Sequence, residues 1–113
     1  MVEFQYFAGC PNAAETWRHL QELIAEGFLL PDEVHVTEVN DAEAARRMRF
    51  AGSPTVLVDG VDIYTEEEPR EANFACRVYL VNGMRTGVLP KEFIRQQIGK
   101  LRGGTSRCGK SGS

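Results

Sequence analysis

Segments with strand-like and helix-like hydrophobic periodicity take turns along this chain, and that alternation limits the fold more than any other feature. Residues 2–7 form a short, weakly alternating apolar run. Ala13, Trp17, Leu20 and Ile24, with Leu23 widening the stripe, share one face of a helix that ends near Gly27. Asn12 with Glu15 has the spacing of a capping box, with Cys10 as an alternative cap. Residues 34–39 alternate as a second strand. Asp41 caps a short helix over 42–50 with Ala45 and Met48 inward, and Gly52 stops it. Pro54 opens a strand over 55–58, since a strand's first residue tolerates a missing N–H. Asp59-Gly60 signals a hairpin into residues 61–64. Residues 65–75 are acidic (Glu66, Glu67, Glu68, Glu71) and read as a loop. Residues 76–81 are another apolar run, Asn82-Gly83 another turn, and Pro90 starts a last helix carrying Phe93, Ile94, Ile98 and Leu101. The order β-α-β-α-β-β-α predicts an α/β fold with a four-stranded sheet covered by helices.

A chain of 113 residues accommodates one domain, expected over residues 1–101. Residues 102–113 are basic and Gly/Ser-rich, and are expected to be a flexible tail. The net charge of −3 divides into −7 over residues 1–98 and +4 over 99–113. An acidic body argues against nucleic acid as a partner, because phosphate binding needs clustered Lys and Arg. No apolar stretch reaches the roughly 20 residues of a membrane span, so no membrane partner is expected. The N-terminus lacks the basic and apolar regions of a signal peptide, which makes the cytoplasm the expected location. The oligomeric state is not legible.

Chemistry concentrates on the cysteines, three in number. Cys10 sits in Gly9-Cys10-Pro11-Asn12-Ala13, at the seam between strand and helix. There it is expected to be partly exposed, facing the positive end of the helix dipole, which favours thiolate over thiol. Cys10 as a small packed hydrophobe is the competing reading. Ala13 stands where a second cysteine would complete C-x-x-C, so the chemistry is single-cysteine or borrows a thiol. Cys76 has two readings. If residues 76–81 are the fourth strand, Cys76 is remote; if residues 61–64 are, Cys76 can approach Cys10. Cys108, in the tail, is either an accidental exposed thiol or a mobile partner. His19 and His35 read as surface or structural residues, and Trp17 as core. The acidic residues 66–71 read as a solvated loop, which would repel anions if it lay over Cys10.

Three short motifs occur in order: Gly9-Cys10-Pro11, Gly52-Ser53-Pro54-Thr55 and Cys76-Arg77-Val78-Tyr79. In this arrangement residues 1–101 resemble the small bacterial thioredoxin-like proteins of the thioredoxin/glutaredoxin fold, some of them labelled alkylmercury-lyase-like. The resemblance implies a three-layer α/β/α architecture with a four-stranded mixed sheet and a cis peptide bond at Ser53–Pro54. It implies thiol–disulfide redox chemistry with Cys10 as nucleophile, the adduct being resolved by Cys76, by a small thiol or by Cys108. Pro11, Asn12, Ser53, Pro54 and Thr55 are the substrate-binding candidates. The partner would be a thiol or disulfide of a protein or of a small molecule such as glutathione. No cofactor and no resident metal are expected. Two other readings compete: a binding module that keeps the fold but not the reaction, and a soft-metal or organomercury handler using Cys10 and Cys76.

Overall fold

A computed structural model describes residues 1–103. The order is β1 (Val2–Tyr6), α1 (Ala13–Ala25), a 3-10 turn (Pro31–Glu33), β2 (Val34–Glu38), α2 (Ala42–Met48), β3 (Thr55–Val58), β4 (Val61–Asp62), β5 (Tyr79–Val81), β6 (Met84–Thr86) and α3 (Lys91–Gly103). Four strands form a mixed sheet in the order β2-β1-β3-β4. β1 runs parallel to β2, with Phe4 opposite Val36, and antiparallel to β3, with Phe4 opposite Val56. β4 is thus the fourth strand, and the alternative built on residues 76–81 is overturned. That run supplies only Tyr79–Val81, which pairs with β6 as a separate two-stranded ribbon. The ribbon adds two strands to the order expected from the periodicity.

Local signals explain most boundaries. Gly27 has φ +82, and the Phe28 N–H reaches the Leu23 carbonyl at 2.9 Å, which closes α1 with a Schellman turn. The Asp41 carboxylate accepts from the Ala44 N–H at 2.8 Å and starts α2. Both hairpin turns place two consecutive residues at positive φ, Asp59-Gly60 and Asn82-Gly83, as tight two-residue hairpins require. Two expectations at helix ends fail. Asn12 is already in the helical region, so its side chain makes no cap hydrogen bond, and the Glu15 carboxylate pairs with Arg18 and His19. α2 stops at Met48 rather than at Phe50, because Arg49 turns left-handed (φ 55) and Phe50 is drawn inward.

The main core lies on one face of the sheet. Val2, Phe4, Val56 and Val58 meet Leu20 and Leu23 of α1 and Ile94 and Ile98 of α3, all buried. A smaller cluster, Val39, Ala45 and Phe50, seats α2. Burying each large aliphatic side chain contributes about 1.5–3 kcal/mol before entropy is counted, so the α1/α3 face dominates stability. Among the described residues no helix is long and apolar enough to cross a membrane. The expectation for residues from 104 onward, Cys108 included, lies outside the described residues; those at 102 and 103 belong to α3.

Candidate functional site

The loop between β1 and α1 carries Cys10. The Cys10 N–H donates to the Phe7 carbonyl at 3.3 Å and the Ala13 N–H to the Cys10 carbonyl at 3.3 Å, which folds the loop tightly under the first turn of α1. The Ser53–Pro54 peptide, in the turn before β3, is cis. Ser53 reaches back to the loop, its Oγ accepting from the Phe7 N–H at 3.3 Å. Cys10 Sγ donates to the Ser53 carbonyl at 3.7 Å.

Cys76 comes to the same place from far along the chain. Its Sγ lies 3.8 Å from Cys10 Sγ across 66 positions of sequence. The segment that carries it is zipped onto the turn before β3. The Asn73 N–H donates to the Phe50 carbonyl at 2.7 Å, the Ser53 N–H to the Ala75 carbonyl at 2.9 Å, and the Arg77 N–H to the Ser53 carbonyl at 2.9 Å. Residues 75–77 thereby form a parallel β-bridge centred on Ser53 and Cys76. Phe74 closes the edge, its ring 5.2 Å from that of Phe7.

The Cys-Arg-x-Tyr motif is the clamp that holds this segment. The Arg77 guanidinium donates to Asp62 Oδ2 at 2.8 Å and to Thr55 Oγ1 at 3.0 Å, and lies over the Tyr79 ring at 4.6 Å. The buried Tyr79 hydroxyl donates to the Pro54 carbonyl. Burial holds the Tyr79 phenol well above its ordinary ionisation range. Gly52 makes the close approach possible. Its φ is +118, and a Cβ there would lie 2.4 Å from Arg77 Cγ and 3.1 Å from the Ala75 carbonyl.

This arrangement corrects two expectations. Cys10 is buried, with 7% of its surface exposed, rather than partly exposed, with the Ser53 carbonyl and the Cys76 thiol against its sulfur. Among the described residues its sulfur has a carbonyl and a second thiol as hydrogen-bonding partners, and no backbone N–H. Ser53, Pro54 and Thr55 are buried too, and do not line an open groove. The Ser53 N–H and carbonyl, at the cis bond whose backbone would face a substrate, are both bonded to the chain's own residues 75 and 77. Of the other candidates, Pro11 is exposed and Asn12 is half-buried against Gly87, where a Cβ would come within 2.1 Å of the Asn12 amide nitrogen.

Cys76 is the outward member of the pair and is exposed as a residue. Burial of its sulfur, and then the hydrogen bond to Cys10, hold its thiol above the ordinary value. Glu66 and Glu68 of the acidic loop lie elsewhere. Glu66 binds Gln97 and Lys100 of α3, and Glu68 lies by Glu3 and Gln5 on the other face of the sheet. His19 is held by the Leu89 carbonyl at 2.8 Å and is structural.

A second feature adjoins Cys10. An apolar cleft of about 470 Å³ opens between α1 and β2, with Phe4, Tyr6, Phe7, Trp17 and Val36 in its wall beside Cys10. The sequence reading missed it and placed Trp17 in the core. Trp17 does pack on Phe4, with ring centroids 5.5 Å apart, but its free side faces the cleft. The available signal was the aromatic run Phe4, Tyr6, Phe7 next to a cysteine loop, paired with an edge strand that no helix fully covers. Comparisons of the chain with protein-family models, with curated proteins and with solved structures find no match.

Proposed function

We propose that this chain is a thioredoxin-like thiol–disulfide redox protein that works through Cys10 and Cys76. The observation that carries the reading is the 3.8 Å between their sulfurs. Two thiols so close need only a small side-chain rotation to reach the roughly 2.05 Å of a disulfide bond. The mixed sheet order, and a cysteine loop between β1 and α1 packed against the turn before β3, support the thioredoxin-like part.

The reaction balances as follows. The Cys10 thiol gives up its proton, and its sulfur attacks one sulfur of a disulfide RS–SR, releasing RS⁻ and forming a Cys10–SR mixed disulfide. The Cys76 thiolate then attacks Cys10 Sγ, forming the Cys10–Cys76 disulfide and releasing the second RS⁻. The two protons from the cysteines go to the two released thiolates. Substrate is reduced, the pair is oxidised, and an external dithiol returns the pair to thiols. A reducing compartment such as the cytoplasm would keep it in that starting state. With both Ser53 backbone groups occupied, a small disulfide fits this site better than an extended peptide.

The test uses full-length protein carrying Cys108→Ser, so that only the pair reports. One equivalent of a small disulfide should remove both thiols together, and peptide mapping should find an intramolecular Cys10–Cys76 link. Cys76→Ser should stop at a mixed disulfide on Cys10. Thiols that react independently, or that give only linked dimers, overturn the reading.

A further inference from the structure

The cleft beside Cys10 restricts which disulfide can reach the pair. Its wall contains no Lys, Arg, His, Asp or Glu among the described residues; besides aromatic and aliphatic side chains it has Gly9, Ala13 and Ala14. The geometry has a simple cause. Phe4 and Val36 are register partners and share a face of the sheet. Trp17 of α1 covers Phe4 but leaves Val36 at the edge strand 49% exposed. The result is an open slot floored by side chains from two strands, walled by a helix, and bordered by the loop that carries Cys10. Tyr6, which is part of the wall, donates its hydroxyl to Glu38 at 3.2 Å, so a carboxylate stands at that rim.

We infer that the cleft is a binding site for the organic group of a small, uncharged, aromatic or branched-alkyl disulfide, whose sulfur it presents to Cys10. The inference rests on the redox reading above and adds the substrate class to it. Three observations select this occupant. A volume of about 470 Å³ is in the range of small-ligand pockets and takes at least one aromatic ring. An apolar wall strips water from whatever enters, so a charged group would lose hydration with no partner to replace it. The Glu38 carboxylate at the rim disfavours anions, which sets glutathione, with its carboxylates, against the site. Cys76 is not part of the wall, so the mixed disulfide would form on Cys10 from the cleft side and be resolved by Cys76 from the other.

The test measures reaction rates of full-length, reduced Cys108→Ser protein with three disulfides. Dithiodipyridine is aromatic and neutral, dithiobisnitrobenzoate is aromatic and anionic, and hydroxyethyl disulfide is neutral without an apolar group. Each rate is divided by the rate of a free small thiol with the same reagent, which removes intrinsic reactivity. The normalised rate for dithiodipyridine should exceed the other two by about tenfold, the yield of burying a modest part of one ring. In Cys76→Ser the pyridyl adduct should sit on Cys10. Val36→Lys, at an exposed edge-strand position, should bring the neutral-to-anionic ratio toward unity by placing a cation in the slot. Ala14→Phe should lower the dithiodipyridine preference by filling the slot from the helix side. Equal normalised rates for all three reagents overturn the substrate class while leaving the redox pair intact. So does a concentration-dependent dimer that Val36→Lys dissolves, since a second copy would then own the cleft. If no reagent produces the Cys10–Cys76 link, the redox reading itself fails.

Discussion

Arg77 carries a charge on a side chain only 11% exposed, against an Asp62 carboxylate that is 3% exposed. Two charges so far from water are costly, and their pairing offsets that cost only while both are present. The same terminal nitrogen of the guanidinium also donates to Thr55 Oγ1, and the guanidinium lies over the Tyr79 ring face. Arg77→Leu would leave the Asp62 carboxylate buried with no cation beside it. The expected loss is about 3–5 kcal/mol of stability, read from urea unfolding followed by the fluorescence of Trp17. The Cys10–Cys76 link should also form more slowly, because the segment bearing Cys76 loses its anchor. The double variant Arg77→Leu with Asp62→Leu should recover most of the stability, as no orphaned charge remains. A single variant as stable as the parent would mean that water or another group reaches Asp62. Arg77 was legible only as part of a motif. Nothing near it in sequence says that its partner sits on a strand 15 residues earlier.

The helices α1 and α3 hold each other through charges that oppose their own dipoles. α1 has no basic residue in its last turn, yet Glu22 and Glu26 lie at that end. α3 opens on Lys91, beside the acidic Glu92 of its first turn, and Arg95 follows one turn on. The two glutamates and Lys91 are unfavourably placed within their own helices, and the placement becomes favourable between them. Lys91 donates to both Glu22 and Glu26, and Arg95 to Glu26. The hydrogen bond from Lys91, and then that from Arg95, keep the Glu26 carboxyl below the usual carboxylate range. The Glu66 carboxyl is lowered likewise, first by Gln97 and then by Lys100, and Glu33 first by the Leu30 N–H and then, against desolvation, by Arg102. In each case the folded form binds its proton less readily than the unfolded chain does. This stability is therefore present above the ordinary value of 4.5 and is lost as pH falls below it. The urea midpoint should drop as pH falls below about 5, with a smaller drop in Glu26→Gln and a smaller one again in high salt. A drop of the same size in Glu26→Gln would remove this cluster from the account. At this scale the sequence was most readable. The Asp41 cap, Gly27, the two hairpin dipeptides and Pro90 act on their own neighbours, so their effect shows in a local reading. The β5–β6 ribbon, the left-handed Arg49 and the failure of Asn12 as a cap depend on what packs against them. The same holds for Cys10: its loop could be read, but the thiol against its sulfur comes from more than sixty positions away.

For the whole molecule, the pair is a latent cross-link across most of the fold. Closing it would join the β1–α1 loop to the segment before β5 and tie off a loop of 66 positions, within which α1, β2, α2, β3 and β4 all lie. A cross-link of that span removes unfolded conformations worth roughly 4 kcal/mol in the chain-entropy picture, and strain in the native state subtracts from this. With the sulfurs already 3.8 Å apart, the subtraction should be modest. The oxidised protein should therefore be more stable than the reduced one by about 2–4 kcal/mol, a rise in midpoint temperature on the order of 10 °C. The gap should also depend on pH. In the reduced protein the Cys76 thiol ionises above its ordinary value of 9.0, burial being the larger cause. The folded state thus disfavours the thiolate, so its stability is complete below that value and declines as pH rises past it. The disulfide has no such thiol to ionise, and the oxidised form should keep its stability there. Calorimetry with and without a reductant, at neutral and at alkaline pH, reads both effects. Cys76→Ser should abolish the difference at either pH. Equal stability of the two redox forms in the parent would mean that closing the bond distorts the β-bridge between Ser53 and Cys76, and the clamp would then be holding two thiols poised near each other rather than a pair shaped to join.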